Sequence, residues 1–117
     1  MARTLVVVND PPYGTERAYN ALRLAGAIAA REDEAVKIFL IGDAAMCAKK
    51  HQQVPHGFYS LEVMLHAVSG RGGEIGVCGS CMDARGMADG ELTAGTHRST
   101  LAQLADWTQW ADKVAVF

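Results

Sequence analysis

Within the stretch VCGSCMDARG, residues 77–86, three side chains are of types that do chemistry: Cys78, Cys81 and Arg85. A thiol acts as a nucleophile or a metal ligand once it is a thiolate. Two cysteines three positions apart share one face of a helix, an arrangement that permits a disulfide. Arg85 falls on the same face, where a guanidinium favours a thiolate or a bound anion. It also stands in the last turn before Gly86, where a cation complements the helix dipole.

Three chemistries suit such a pair. The first is dithiol redox exchange, since CGSC is close to the thioredoxin type of active site. That fold places a proline opposite the disulfide on a later strand. Here Pro11, Pro12 and Pro55 all precede Cys78. The second is a metal site. Structural zinc wants four ligands, commonly as two close pairs. There is no second Cys-x-x-Cys, and His51, His56, His66 and His97 are scattered, so neither a metal nor another cofactor is expected. The third is sulfur carriage. A thiolate attacks sulfane sulfur and holds it as a persulfide, and a second cysteine such as Cys81 can resolve the persulfide by forming a disulfide and releasing sulfide. Inert packing is the alternative for any cysteine, and it is the expectation for Cys47, inside a short amphipathic segment.

The elements around these residues decide whether they are placed to react. TLVVVN (4–9) reads as a buried parallel strand. Thr15 caps an expected helix running to about Arg31, with Ala18, Leu22, Ala25 and Ile28 at helical spacing. AVKIFLIGD (35–43) is a second strand, and AAMCAKKH (44–51) a short helix. Ser60 caps a helix with Leu61, Met64, Leu65 and Val68 as its stripe. GEIGVC (73–78) is a third strand. A short helix closed by Gly86 follows, then a brief strand near 94–98. Thr100 with Gln103 has the form of a capping box, opening a helix with Leu101, Leu104, Thr108 and Ala111 on one face. KVAVF (113–117) ends the chain as a strand. Alternating strands and helices predict an α/β fold, a three-layer α/β/α sandwich with a mostly parallel sheet of about five strands.

Such sheets bind ligands beyond the carboxyl ends of their strands. Loops leave that edge at Asn9-Asp10, Gly42-Asp43, Cys78 and about His97. Cys78 is then the last residue of a strand and the first of a helical turn, where unpaired N–H groups stabilise an anion and lower a thiol pKa. Asn9, Asp10 and Tyr13 face the same edge, although Asn9-Asp10 is also a good turn in its own right. Asp43 reads as a helix cap or a pocket residue. Phe58 and Tyr59 wall a pocket or pack at a subunit interface, and Trp107 and Trp110 share a packing face.

Bulk properties set the frame. The 117 residues make one domain over 1–117. A net charge of −2, with half the residues hydrophobic, points to a globular protein and to no nucleic-acid partner. No apolar run reaches the roughly 20 residues of a membrane span, so no membrane is expected. MARTLVVVND is too short for a signal peptide, which makes the cytoplasm the expected location.

The segments GDAAMCAKKHQQVPHGFYSLEVMLHAVSGRGGEIGVCGSCMDARGM, YGTERAYNALRLA and LADWTQWADKVAVF together resemble the DsrE/DsrF-like (YchN-like) family over nearly the whole chain. The resemblance implies a compact α/β domain and a homo-oligomer, often a trimer or hexamer. It also implies donor and acceptor proteins, since relatives in the TusD and DsrE branches carry sulfur on a cysteine after the third strand, in sulfur oxidation or transfer-RNA thiolation. That cysteine lies eight residues before the glycine of an arginine-glycine pair, the spacing of Cys78 to Gly86. The sulfur-binding role therefore passes to Cys78 alone, while Arg85 stays an anion-stabiliser candidate on its own charge and spacing. Cys81 has no counterpart in those branches. A dithiol redox protein and a non-catalytic oligomeric ligand-binding module stay open as alternatives.

Overall fold

The computed structural model describes residues 1–117. Four largely apolar runs and one polar edge segment, THRS, form strands: β1 (Ala2–Val8), β2 (Glu34–Leu40), β3 (Glu74–Cys78), the polar β4 (Thr96–Ser99) and β5 (Lys113–Val116). Four α-helices connect them: α1 (Arg17–Ala29), α2 (Leu61–Ser69), α3 (Gly79–Ala84) and α4 (Leu101–Trp110). The sheet is parallel throughout, in the order β4-β3-β2-β1-β5.

The topology follows from handedness. From β1 the chain steps outward through β2 and β3 to β4, then returns past β1 to β5. Right-handed crossovers put helices of opposite stepping direction on opposite faces. Accordingly, α1 and α2 cover Val6, Val8, Ile38, Leu40, Ile75 and Val77 on one face. On the other, Trp107 of α4 packs with Leu5, Phe39 and Cys78. Strand alternation explains the split, because successive residues of each strand point to opposite faces.

Gly76 makes room for α4. A Cβ there would stand 3.2 Å from two Trp107 ring atoms and 3.2 Å from Ser99 Cβ. The indole meets Phe39 edge-on, at 6.2 Å between ring centres and 87° between planes. This fit turns α4 away from its expected register. Trp107 is its buried residue, while Leu101 is 69% exposed, so the stripe of Leu101, Leu104, Thr108 and Ala111 is not the buried face.

Other elements hold with local changes. Ala18, Leu22, Ala25 and Ile28 are buried as their spacing predicts, but α1 starts at Arg17. Thr15 stands one residue outside it: Glu16 is the N-cap residue, while the Thr15 hydroxyl donates to Asp10 Oδ2 at 2.8 Å and accepts from the Arg17 N–H at 3.4 Å. Ser60 and Thr100 accept from the N–H groups of Val63 and Gln103 and cap α2 and α4. The second half of the capping box is missing, because Gln103 Oε1 bonds His97 and Ser99 instead. The short helix after β2 is a 3₁₀ turn, Gly42–Ala48, whose tight winding buries Ala44, Ala45, Cys47 and Ala48. His97 lies within β4 rather than at its end. No helix is long and apolar enough to cross a membrane.

Candidate functional site

Cys78 ends β3 and is the N-cap residue of α3. Its strand partner in β4 is Ser99. The connections leaving these neighbouring strands diverge. α3 places Met82 in the α1–α2 core, whereas α4 crosses to the other face. The carboxyl ends of β3 and β4 thus form the topological switch point where open α/β sheets place their ligand sites.

Gly79 lets α3 begin so close to β4. A Cβ on it would fall 2.6 Å from Arg98 Nη1 and 3.0 Å from the Ser99 carbonyl oxygen. Arg98 in turn holds α3 from the strand side, donating to Asp83 at 2.7 Å and to Asp89 at 2.6 Å.

Two opposing influences act on the Cys78 thiol. Burial among Leu5, Phe39 and Trp107 pushes its pKa up. Hydrogen bonds from the Cys81 thiol, the Ser80 hydroxyl and the backbone N–H groups of both residues pull it down. The hydrogen bonds win, and the thiol lies below the ordinary range. Ser80 Oγ is 3.3 Å from the sulfur. Cys81 behaves oppositely. Burial, and then its bond to Cys78, push it above the ordinary range against the pull of the Gly42 N–H and Arg85. Cys78 therefore ionises first and Cys81 keeps its proton. Both are free thiols, and Cys78 is only 7% exposed while Cys81 is half-buried.

The loop after β2 closes the site from its other side. Gly42 adopts φ +61 and donates its N–H to Cys81 Sγ at 3.1 Å. Next to it, Asp43 makes no cap bond and accepts from Arg85 Nη2 at 2.6 Å. Arg85 Nη1 also donates to the Cys81 carbonyl at 3.0 Å, capping the end of α3. The guanidinium charge bears on Cys81, and the bonds that hold down Cys78 come from Ser80 and Cys81.

The remaining expected pocket residues divide into groups. Asn9 donates from its side chain to the Phe117 carbonyl at 3.1 Å and fastens β5 to β1. The Asp10 side chain accepts from Thr15, and its carbonyl accepts from Cys47 Sγ at 3.7 Å. Cys47 is 1% exposed, and burial pushes its pKa up to about 12, as suits a packing residue. Tyr13 donates to the Tyr59 carbonyl at 3.2 Å, and Tyr59 stacks on Tyr19 with ring centres 4.0 Å apart. These tyrosines pack on the α1–α2 core, whereas Cys78 belongs to the α4 cluster. Two of the four histidines are engaged elsewhere. His66 bonds Thr93, and His97 bonds Gln103. A groove of about 600 Å³ lined by Arg31, Arg71, Glu74 and Trp110 flanks the amino end of β3, away from the thiols.

Four residues beyond the expected set complete the site: Gly79, Ser80, Arg98 and Ser99. Gly79 and Ser80 follow a strand-ending cysteine, where Gly79 permits the close approach to β4 and Ser80 supplies a hydroxyl and an N–H to Cys78. Arg98 and Ser99 carried no signal in the sequence, since only the β3–β4 register brings them in.

A sequence profile described as the DsrE/DsrF-like family matches residues 2–117. Protein YchN of Escherichia coli is 37% identical over 120 residues and covers all of both chains. The uncharacterised protein MK0008 of Methanopyrus kandleri is 38% identical over 112 residues, covering 96% of this chain and 91% of its own. The crystal structure of the E. coli ychN protein superposes with a TM-score of 0.92 at 35% identity, over the full length of both chains. A Methanobacterium thermoautotrophicum protein of unknown function, MTH1491, shares the fold with a TM-score of 0.76 at 12% identity. With a family match over nearly its whole length and relatives that align end to end, the chain belongs to the DsrE/DsrF-like family.

Proposed function

We propose that this protein is a small cytoplasmic sulfur carrier that takes sulfane sulfur as a persulfide on Cys78 and passes it to an acceptor. The observation that carries the reading is the position of Cys78 as strand end and N-cap, with its thiolate bonded by Ser80 and Cys81. An anion so held is the reactive form of the thiol, and a persulfide anion suits the same N–H groups. Membership of the DsrE/DsrF-like family supports it. The test is to load the purified protein with inorganic polysulfide and weigh it intact. Protein with Cys81→Ser, which lacks the neighbouring thiol, gains one sulfur atom, and protein with Cys78→Ser as well gains none.

The carrier works as a homo-oligomer, a trimer or hexamer by resemblance to its family. Supporting this, Val114 and Val116 share the α4 face of the sheet with Leu5 and Val7, yet α4 leaves them 46% and 67% exposed. Exposed apolar groups on a sheet face are a usual mark of an interface.

A second reading, a dithiol/disulfide redox protein using Cys78 and Cys81, draws on the bond between the two thiols. The burial of Cys78 favours a third, a non-catalytic binding module, in which neither thiol would react with a thiol reagent in the native state.

A further inference from the structure

Cys81 is not an incidental neighbour of Cys78. Its sulfur is fixed by a bond from a different loop, the Gly42 N–H at 3.1 Å. Its carbonyl is fixed by Arg85, which is itself anchored on Asp43. It adjoins the cluster that holds Cys78, and it is the more exposed of the two. A thiol so positioned packs against the Cys78 cluster and is a side-chain hydrogen-bond partner of Cys78, the residue that would bear the persulfide.

Taking the persulfide on Cys78 as given, we infer that Cys81 discharges it, so that the sulfur leaves as hydrosulfide and the protein acts as a persulfide reductase toward its own adduct. In the step, Cys81 sulfur bonds to the inner sulfur, that of Cys78, and the persulfide S–S bond breaks. The electron pair goes with the outer sulfur, which takes the proton from Cys81 and departs as HS⁻. The sulfane sulfur is reduced, and the two cysteines are oxidised to a Cys78–Cys81 disulfide. Two equivalents of a small external thiol then restore the dithiol and become a disulfide themselves. The first thiol attacks Cys81, because that sulfur is the more accessible and because Cys78, the better thiolate, is the better leaving group. The inferred substrate class is sulfane sulfur together with a low-molecular-weight thiol, and the product is hydrosulfide.

The test is a single turnover on the intact protein. Wild type, Cys81→Ser and Cys81→Ala are loaded with inorganic polysulfide under anaerobic conditions, desalted, and followed by intact mass and by trapping of hydrosulfide with monobromobimane. Wild type is expected to lose the added sulfur, release one equivalent of hydrosulfide and finish two hydrogens lighter. Both variants are expected to keep the sulfur and release none. A stable adduct on wild type, or equal release from either variant, overturns the inference and leaves the carrier reading intact. No adduct on either variant overturns both together.

Discussion

Gly42 and Cys81, 39 positions apart, are joined by a backbone N–H donated to a sulfur at 3.1 Å. This bond ties the loop after β2 to α3 and makes the Cys78–Cys81 site a product of two strand ends. Its two thiols differ in acidity, Cys78 below and Cys81 above the ordinary range.

Cys78 lies below the ordinary thiol range and Cys47 far above it, at about 12. Alkylation by iodoacetamide, resolved by peptide mass, will therefore label Cys78 at pH values below the usual thiol midpoint of about 8.5. Cys47 will stay unlabelled until the protein unfolds.

The same burial makes Cys47 a source of alkaline instability. In the unfolded chain it loses its proton from about pH 8.5, while in the folded protein it keeps it to about pH 12. Between those values the unfolded state binds fewer protons, so stability falls as pH rises, by up to about 1.4 kcal/mol per pH unit for this group. Urea melts across the window will show a steeper fall for wild type than for Cys47→Ala.

Asp43 and Arg85 act on Cys81 with opposite signs. Arg85 pulls the Cys81 thiol down, and Asp43 neutralises part of that charge. Arg85→Ala will slow alkylation of Cys81, and Asp43→Ala will quicken it. The stability cost of losing the pair will be about 1 kcal/mol or less, as Asp43 is 64% exposed.

Gly76→Ala pushes a methyl into the Trp107 ring and the Ser99 side chain. Overpacking of this kind typically costs about 1–3 kcal/mol. Chemical denaturation will show a loss in that range, with Trp107 fluorescence shifted in the native state.

Val116→Asp places a charge on the uncovered part of the α4 face. If that face joins copies of the chain, light scattering behind size exclusion will show wild type as an oligomer and the variant as a smaller species. An unchanged mass would remove this face from the interface.

Much of this arrangement was legible in the sequence, and what was not has physical causes. Ala18, Leu22, Ala25 and Ile28 announced α1 because a helix packed on a sheet needs that spacing. Cys78 could be placed at a strand end because the apolar run stops there and Gly86, at φ +65, closes the next helix. The face of α4 was misjudged because Trp107 fits a notch made by Gly76, a tertiary fit that outweighs the pattern of Leu101 and Leu104. Thr15 and Asp43 do not serve as the expected caps because α1 begins one residue later, with Glu16 as its N-cap, and Asp43 is drawn to Arg85. Arg98 and the Gly42 N–H stayed invisible because their roles exist only after β2, β3 and β4 have assembled in register.

The most direct test is to find where sulfur binds. Cleavage at arginine yields a peptide, residues 72–85, that carries Cys78 and Cys81 but not Cys47. With Cys81→Ser protein loaded with polysulfide, fragment masses of this peptide should place one extra sulfur atom on Cys78. Protein with Cys78→Ser as well should carry none. Extra sulfur on Cys47, or equal loading without Cys78, would contradict the account.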